Sequence, residues 1–176
     1  MEVFWRQGFE GASCDDLLSA MNIRCGSMYS TFGDKETLYE KVFDLYQQTE
    51  FENALKVLNG PDSPLQNVRN LVRCWGEVMS QPDCKGCLVS NTLIEFGKET
   101  QGIAQRARAL VDSMRTAFAE KLAAAKQQGE LSQEVDEQEL AAFLVASAQG
   151  LSVMARSGAG KETIQGTVNT ILRVLG

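Results

Sequence analysis

Residues 23–39 read IRCGSMYSTFGDKETLY and predict a short polar helix between two apolar ones. This helix is expected to start near Arg24 to Gly26 and to end at Phe32, with Met28 and Phe32 facing inward together because they lie four residues apart. A helix this short and polar buries little apolar surface, so its outward face is expected to contact another molecule. The hydroxyl-bearing side chains on that face are Ser27, Tyr29, Ser30 and Thr31.

Another short helix precedes this one. Ser13 and Asp16 have the spacing of a capping box and predict a helix from about Cys14 to Met21. Asn22 tolerates the left-handed conformation, which allows a tight turn into the next helix. Two short helices joined by such a turn are typical of a helix-turn-helix motif.

The first helix of the chain is expected to be incomplete. Gly8 predicts its C-terminal end, which leaves only residues 1–7 inside the helix. A helix of seven residues that starts at the first residue is poorly nucleated. We therefore expect that the sequence begins partway through a longer helix.

The remaining sequence is also predicted to be helical, which makes the fold all-α. Asp34 is expected to cap a longer helix whose buried stripe is Leu38, Val42, Leu45 and Tyr46. No segment shows the alternation of a strand. Five further helices are expected over about residues 64–80, 87–96, 100–128, 137–157 and 161–175.

Composition excludes several classes of function. The 176 residues contain no histidine, so Ser-His-Asp and Cys-His catalysis and the common histidine zinc sites are ruled out. No stretch reaches the ~20 apolar residues of a membrane span, so we expect a cytoplasmic protein with no membrane contact. The five cysteines are odd in number and are expected to be free thiols. A formal net charge of -6 gives no overall nucleic-acid footprint, so DNA binding has to arise from local geometry.

A family resemblance rests on the order of the N-terminal motifs. The motifs are FWRQGFEGAS at 4–13, DDLLSAMN at 15–22, IRCG at 23–26, SMYSTF at 27–32 and GDKETLYEKVF at 33–43. This order resembles the TetR family of transcriptional regulators. The resemblance implies an all-α homodimer with a DNA-binding domain at 1–46 and a larger ligand-binding and dimerisation domain at 47–176. It implies a regulator, by family habit a repressor, that binds a palindromic operator and is released by a small molecule. Neither enzymatic activity nor a cofactor is expected.

The resemblance also implies which residues meet DNA. Gly26 lets the helix backbone approach the duplex, and Lys35 meets a phosphate. Arg24 is the best candidate for reading guanine, since arginine makes the most discriminating base contact. Up to Leu45 only four basic residues face eight acidic ones, so a basic arm is expected upstream. The full set of expected DNA contacts is Ser13, Arg24, Cys25, Gly26, Ser27, Tyr29, Ser30, Thr31 and Lys35.

The C-terminal helices offer candidates for a ligand cavity and for a subunit interface. Met and aromatic residues at helical spacing predict a mainly apolar effector, with Asn91 and Gln149 as polar contacts. The expected cavity residues are Cys74, Trp75, Met79, Asn91, Phe96, Met114, Phe118, Phe143, Ser147 and Met154. Because the last two helices are apolar over most of their surface, a two-fold four-helix interface is also expected. The expected interface residues are Val145, Ala148, Val153, Ile164, Val168, Ile171, Leu172 and Leu175.

The cysteine pair Cys84 and Cys87 leaves alternatives open. Two thiols three positions apart form a C-x-x-C motif, and Lys85 between them favours a thiolate. One alternative is a regulator that senses oxidants or electrophiles through this pair. A helical thiol oxidoreductase is another, although no strand-helix context of a thioredoxin surrounds the motif. A structural zinc site is disfavoured because Cys74 is the only further thiol nearby and four ligands are needed.

Overall fold

A computed structural model describes all residues from 1 to 176, and every regular element in it is helical. No helix combines the length and the hydropathy that a bilayer-spanning segment requires. A π-helical turn at Gln47–Phe51 joins α4 to α5. The ten α-helices are α1 Glu2–Gly11, α2 Cys14–Met21, α3 Cys25–Phe32, α4 Lys35–Tyr46, α5 Glu52–Leu58, α6 Pro64–Met79, α7 Leu88–Phe96, α8 Gly102–Gln127, α9 Glu137–Arg156 and α10 Lys161–Val174.

The caps predicted from sequence set the helix boundaries around the helix-turn-helix. Ser13 Oγ accepts a hydrogen bond from the Asp16 amide at 3.1 Å, and the Asp16 carboxylate accepts one from the Ser13 amide at 3.3 Å. Asn22 ends α2 in the left-handed conformation, with φ of 52°. Asp34 accepts from the Thr37 amide at 2.7 Å and starts α4. These local bonds confirm the predicted bounds of α2 and α4.

Two expectations about the N-terminal helices differ from the structure. Gly8 does leave the helical conformation, with φ of 78° and ψ of -179°, but α1 resumes after it and ends at Gly11. The expected end of the helix at Gly8 is therefore wrong. Leu45 was expected in the buried stripe of α4, yet it is 46% exposed. Tyr39 and Phe43 are buried instead, because α4 packs against neighbours on a face rotated from the simple apolar stripe.

Two hydrophobic clusters share the central helices. The N-terminal cluster contains Phe4, Leu17, Met28 and Tyr39, and it extends to Leu88 and other residues of α7 and α8. A larger cluster is built by α5, α6, α8, α9 and α10. Both clusters use α8, so the N-terminal helices do not form an isolated core.

The contact between α1 and α7 holds the N-terminal helices, which we call the head (residues 1–46), to the rest of the protein. Glu95 on α7 accepts hydrogen bonds from the amides of Phe9 at 2.9 Å and Glu10 at 3.4 Å. These are the amides left free by the break at Gly8, so the carboxylate acts as a helix cap supplied from another element. A buried hydrogen bond of 2.8 Å between the Tyr39 and Thr92 hydroxyls lies beside this contact.

Replacing Gly8 by alanine tests this contact. Its φ lies in the left-handed region, and a Cβ there would lie 2.3 Å from a Glu95 carboxylate oxygen. We expect Gly8→Ala to lower the free energy of unfolding by about 3 kcal/mol, because backbone strain adds to the loss of the Glu95 hydrogen bonds. Urea unfolding followed by circular dichroism measures this change.

The matched control is Gly11→Ala. A Cβ at Gly11 meets only the Gln7 Cβ at 3.6 Å, which is an ordinary contact. Its unfolding free energy should therefore change by no more than about 0.5 kcal/mol. Equal stability of both variants would show that the Gly8 break is not needed for docking of α1.

Candidate functional site

The outward face of α3 is free of contacts within the protein. Met28 is fully buried and Phe32 is half-buried, so these two side chains anchor the helix. Every other side chain near the start and along the length of α3 is exposed. The exposed residues are Arg24, Cys25, Gly26, Ser27, Tyr29, Ser30 and Thr31. Seven of the nine expected DNA contacts therefore lie on one accessible surface, which we call the α3 face.

Gly26 has no structural requirement within the protein. A Cβ built at this position meets no atom within 4 Å, and its φ is not in the left-handed region. A glycine inside a helix costs about 1 kcal/mol relative to alanine. The reason for a glycine at this position therefore lies outside the protomer, in a partner that approaches the α3 backbone closely.

Tyr29 is a neutral hydrogen-bond donor on the α3 face. It is 49% exposed. A hydrogen bond with Cys14 raises the pKa of the Tyr29 phenol above its usual value, and the nearby Cys14 and Cys25 thiols raise this pKa further. The phenol therefore keeps its proton at neutral pH and can donate to a phosphate or a base.

Two of the expected DNA contacts already have partners within the protein. The Ser13 hydroxyl donates to Asp16 Oδ2 at 2.6 Å, and the Ser13 amide points to the same carboxylate. The Lys35 ammonium lies 4.6 Å from the centre of the Phe9 ring. Ser13 and Lys35 therefore stabilise the head directly, and a DNA contact from either must compete with these interactions.

The larger domain contains an apolar cavity of about 240 Å³. Of its 22 lining residues, 17 are hydrophobic. Such a cavity binds apolar molecules and leaves few places for a charged group. Cys74, Trp75, Met79 and Met114 line it as predicted from sequence, and so does the polar candidate Gln149.

The other expected cavity residues lie elsewhere. Asn91 donates to the Lys85 carbonyl at 3.2 Å, and Phe96 packs on Phe9 with ring centres 5.3 Å apart. Phe118 is fully buried behind the wall, edge-on to Trp75. Phe143, Ser147 and Met154 do not line the cavity either. In α9 it is the face with Val145, Ala148 and Gln149 that lines the cavity.

The two apolar faces of α9 are thus exchanged relative to the prediction. Val145 and Ala148 were expected at the subunit interface but line the cavity, whereas Phe143 was expected in the cavity and is 41% exposed. Helical periodicity identifies two apolar faces without telling which neighbour each one meets.

Most of the expected interface residues of α10 are also inside the protomer. Four of them are at most 4% exposed and belong to the larger hydrophobic cluster: Ile164, Val168, Ile171 and Leu175. Leu172 is half-buried. Only Val153, which is 49% exposed, presents a large surface to a partner. The broad apolar face of α10 is used to close the core of the protomer.

Several cavity residues were missed in the sequence analysis. Phe51, Ala54 and Val57 form an apolar stripe with three-residue spacing, which the sequence already shows. Trp5 and Tyr46 gave no such signal, because they reach the cavity only through the packing of the head on the larger domain.

The two cysteines of the C-x-x-C motif have different surroundings. All five cysteines are free thiols. Cys84 packs against the larger hydrophobic cluster, and Cys87 packs against the N-terminal cluster and lines the cavity. The Tyr46 hydroxyl donates to Cys87 Sγ at 3.3 Å.

Comparisons with known proteins agree with this architecture. The family model described as "Tetracyclin repressor-like, C-terminal domain" matches residues 64–171, more than half of the chain. The chain belongs to the TetR family. It is similar to the uncharacterized HTH-type transcriptional regulator YezE of Bacillus subtilis, with 29% identity over 99% of this chain and 91% of the relative. The HTH-type transcriptional repressor ComR of Escherichia coli (strain K12) is 24% identical over 99% of this chain and 84% of its own.

A solved structure extends the likeness to DNA. A cysteine-substituted form of the TetR family regulator CifR, complexed with 26-bp operator DNA, matches with a TM-score of 0.83 and 30% identity. The match covers 97% of this chain and 90% of that chain. As a member of the TetR family, the protein is a DNA-binding transcriptional regulator with a helix-turn-helix head and is not an enzyme.

Filling the cavity tests whether this TetR family member binds apolar molecules there. Both tryptophans of the chain, Trp5 and Trp75, line the cavity. We expect the neutral dye N-phenyl-1-naphthylamine to bind and to quench their fluorescence. Ala148→Phe places a ring in the cavity and should weaken dye binding by about tenfold or more.

The matched control for this test is Ala109→Phe, which adds the same ring on the exposed surface of α8. Its dye affinity should equal that of the unmodified protein. Dye binding that survives Ala148→Phe would place the dye site outside this cavity.

Proposed function

We propose that the protein is a dimeric, ligand-responsive repressor whose α3 face reads a palindromic operator in the major groove. The observation that carries this proposal is the exposed polar α3 face with a glycine that nothing in the protomer requires. In such motifs the second helix enters the groove, and two heads meet half-sites about one helical turn apart. In this proposal residues 1–46 bind DNA, whereas residues 47–176 bind the effector and the second subunit.

Two further features define the proposed role. Repression is supported by the curated relatives ComR and DhaR, whose names describe them as transcriptional repressors. Because the target is chromosomal DNA, we propose that the protein acts in the cytoplasm.

The charge of the head limits its affinity for DNA. Only Arg6, Arg24, Lys35 and Lys41 are basic up to Leu45, and the ammonium of Lys35 lies over Phe9. Arg24 is exposed at the start of α3 and is the proposed guanine contact. Hydroxyls and backbone amides supply most of the other proposed contacts, so binding depends on a close approach.

Gly26→Ala tests that close approach. Alanine favours the helix and meets no atom of the protomer, so the fold should be unchanged or slightly more stable. A methyl group between α3 and the duplex should nevertheless weaken operator binding by about tenfold. Fluorescence anisotropy on a site selected from random duplexes measures this affinity.

The same substitution at Gly160 is the control, because a Cβ there also meets no atom and the residue lies at the start of α10. Gly160→Ala should bind DNA like the unmodified protein. Full DNA affinity in Gly26→Ala would refute the assignment of α3 as the reading helix.

Homodimerisation is proposed through the exposed face of α9. This face presents Phe143 and Val153, with Ala146 and Gly150 between them. A Cβ at Gly150 would meet no atom within 4 Å, although the residue lies in the middle of a helix. Small residues between larger apolar ones allow two helices to pack closely, and Val174 of α10 extends the apolar surface.

A charged side chain at Gly150 should separate the subunits. Gly150→Arg has room in the protomer, so the monomer should fold, but the arginine would occupy the proposed interface. Sedimentation velocity is expected to show a shift from dimer to monomer. Thr116→Arg, at an exposed position of α8, should leave the sedimentation coefficient unchanged. A Gly150→Arg dimer as tight as the original would exclude this face.

Effector control is proposed to work through the walls that the cavity shares with the head. Trp5 of α1 and Tyr46 of α4 line the cavity, and their rings pack edge-on with centres 5.1 Å apart. A molecule that enters displaces these rings and with them the two helices that carry the helix-turn-helix. DNA affinity then falls to the extent that the effector prefers the displaced state.

A further inference from the structure

Two polar side chains in the cavity lack partners within the protein. Ser90 on α7 is only 6% exposed, and its hydroxyl makes no hydrogen bond to another protein group. The Gln149 amide on α9 is half-buried and also has no partner. Buried polar groups are normally satisfied, so these two sites have hydrogen-bonding capacity left for a ligand. A neutral polar atom on an otherwise apolar molecule fits them.

Cys87 lies next to this polar corner. It occupies the N-cap position of α7, a helix of nine residues, and lines the cavity. The helix N-terminus and the donated hydrogen bond from the Tyr46 hydroxyl, at 3.3 Å, both favour negative charge on its sulfur. Burial raises the pKa of Tyr46 well above its usual value, so this phenol keeps its proton and remains a donor.

One hydrogen bond places the three groups together. The Cys87 amide donates to Ser152 Oγ at 2.7 Å, which joins the start of α7 to α9. Ser90 follows Cys87 by three residues and Gln149 precedes Ser152 by three residues, and both line the same cavity. Each polar group is therefore about one helical turn from this contact.

We infer that Cys87 is the attachment site for an apolar α,β-unsaturated carbonyl effector, whose carbonyl oxygen is bound by Ser90 and Gln149. This inference rests on the proposed function, since it names the effector class of the same cavity. The Cys87 sulfur forms a bond to the β-carbon, and the carbon–carbon π pair moves toward the carbonyl oxygen. The proton of the thiol ends on the α-carbon, so no oxidant or reductant is needed.

The other thiols are less suited to this reaction. Cys74 also lines the cavity, but burial raises the pKa of its thiol and so lowers the thiolate fraction. Cys84 packs against the larger hydrophobic cluster outside the cavity. Cys14 and Cys25 lie in the head, without an apolar cavity to concentrate the electrophile.

The position of Cys87 also couples the reaction to the head. The neighbouring Gly86 carbonyl accepts a hydrogen bond from Trp5 Nε1 at 3.0 Å. Lys85 pairs with Glu2 of α1 through a contact of 2.6 Å and lies 4.4 Å above the Trp5 ring. An adduct on Cys87 therefore displaces the segment that holds the start of α1.

The test compares trans-2-octenal with octanal on the full chain in reduced form. Octanal has the same length and carbonyl group but lacks the double bond needed for addition. We expect octenal to give one adduct at Cys87, formed about tenfold faster than any adduct at the exposed Cys25. Peptide mapping by mass spectrometry measures both rates, and fluorescence anisotropy measures release of operator DNA.

Two variants separate the roles of the neighbouring groups. Ser90→Ala should slow the octenal reaction by roughly tenfold, because a donor to the developing oxyanion is lost. Its reaction with iodoacetamide, which needs no such donor, should be unchanged. Tyr46→Phe keeps the ring against Trp5 but removes the hydroxyl, and it should slow both reactions.

The cysteine variants decide the proposal. Cys87→Ser should bind DNA but no longer release it with octenal, whereas the matched control Cys84→Ser should respond normally. Release from Cys87→Ser as complete as from the unmodified protein, or faster labelling of Cys25 than of Cys87, would overturn the covalent step. If both aldehydes still release DNA from Cys87→Ser, the effector cavity stands without the thiol. Failure of the unmodified protein to bind any duplex would instead reject the proposed function, while the labelling rates still decide the chemistry.

Discussion

The hydrogen bonds from Phe9 and Glu10 to Glu95 hold the reading head to the rest of the protein. Gly8 breaks α1 with a positive φ, and the carboxylate on α7 accepts the amides that the break exposes. Tyr39 and Thr92 add a buried hydrogen bond beside this contact. Burial raises the pKa of Tyr39 to about 12, so its hydroxyl keeps its proton throughout the neutral range. The orientation of the head thus depends on one helix, α7.

The same helix forms part of the effector cavity, which explains how a ligand can influence DNA binding. α7 begins at Leu88, next to Cys87 and Gly86 on the cavity wall, and ends near Glu95 at the contact with α1. A shift at its start is therefore felt by the head without a long chain of intermediates. The cavity also borrows Trp5 and Tyr46 from the head. By linkage, DNA and effector must weaken each other's binding by the same factor.

Local signals in the sequence predicted the head well, because the interactions there are local. Ser13 with Asp16, Asn22 and Asp34 act on residues within three positions of themselves, and each makes the bond or adopts the conformation expected of it. The all-α fold and the TetR family followed from the same motifs. The long-range consequences were missed: Gly8 interrupts α1 without ending it, since Glu95 comes from a residue far along the chain. The proposed DNA contacts and the 1–46 and 47–176 domain division remain predictions.

The sequence by itself determined where helices start and stop, which family the protein belongs to, and that its effector cavity would be mainly apolar. These properties depend on spacing, capping and composition, which are visible in a linear chain. Only the tertiary structure decided which face of α9 lines the cavity, which residues of α10 close the core, and that Cys87 parts from Cys84. An apolar face can pack against a core, a ligand or a second subunit with similar gain, so burial chooses its partner only when all helices are in place.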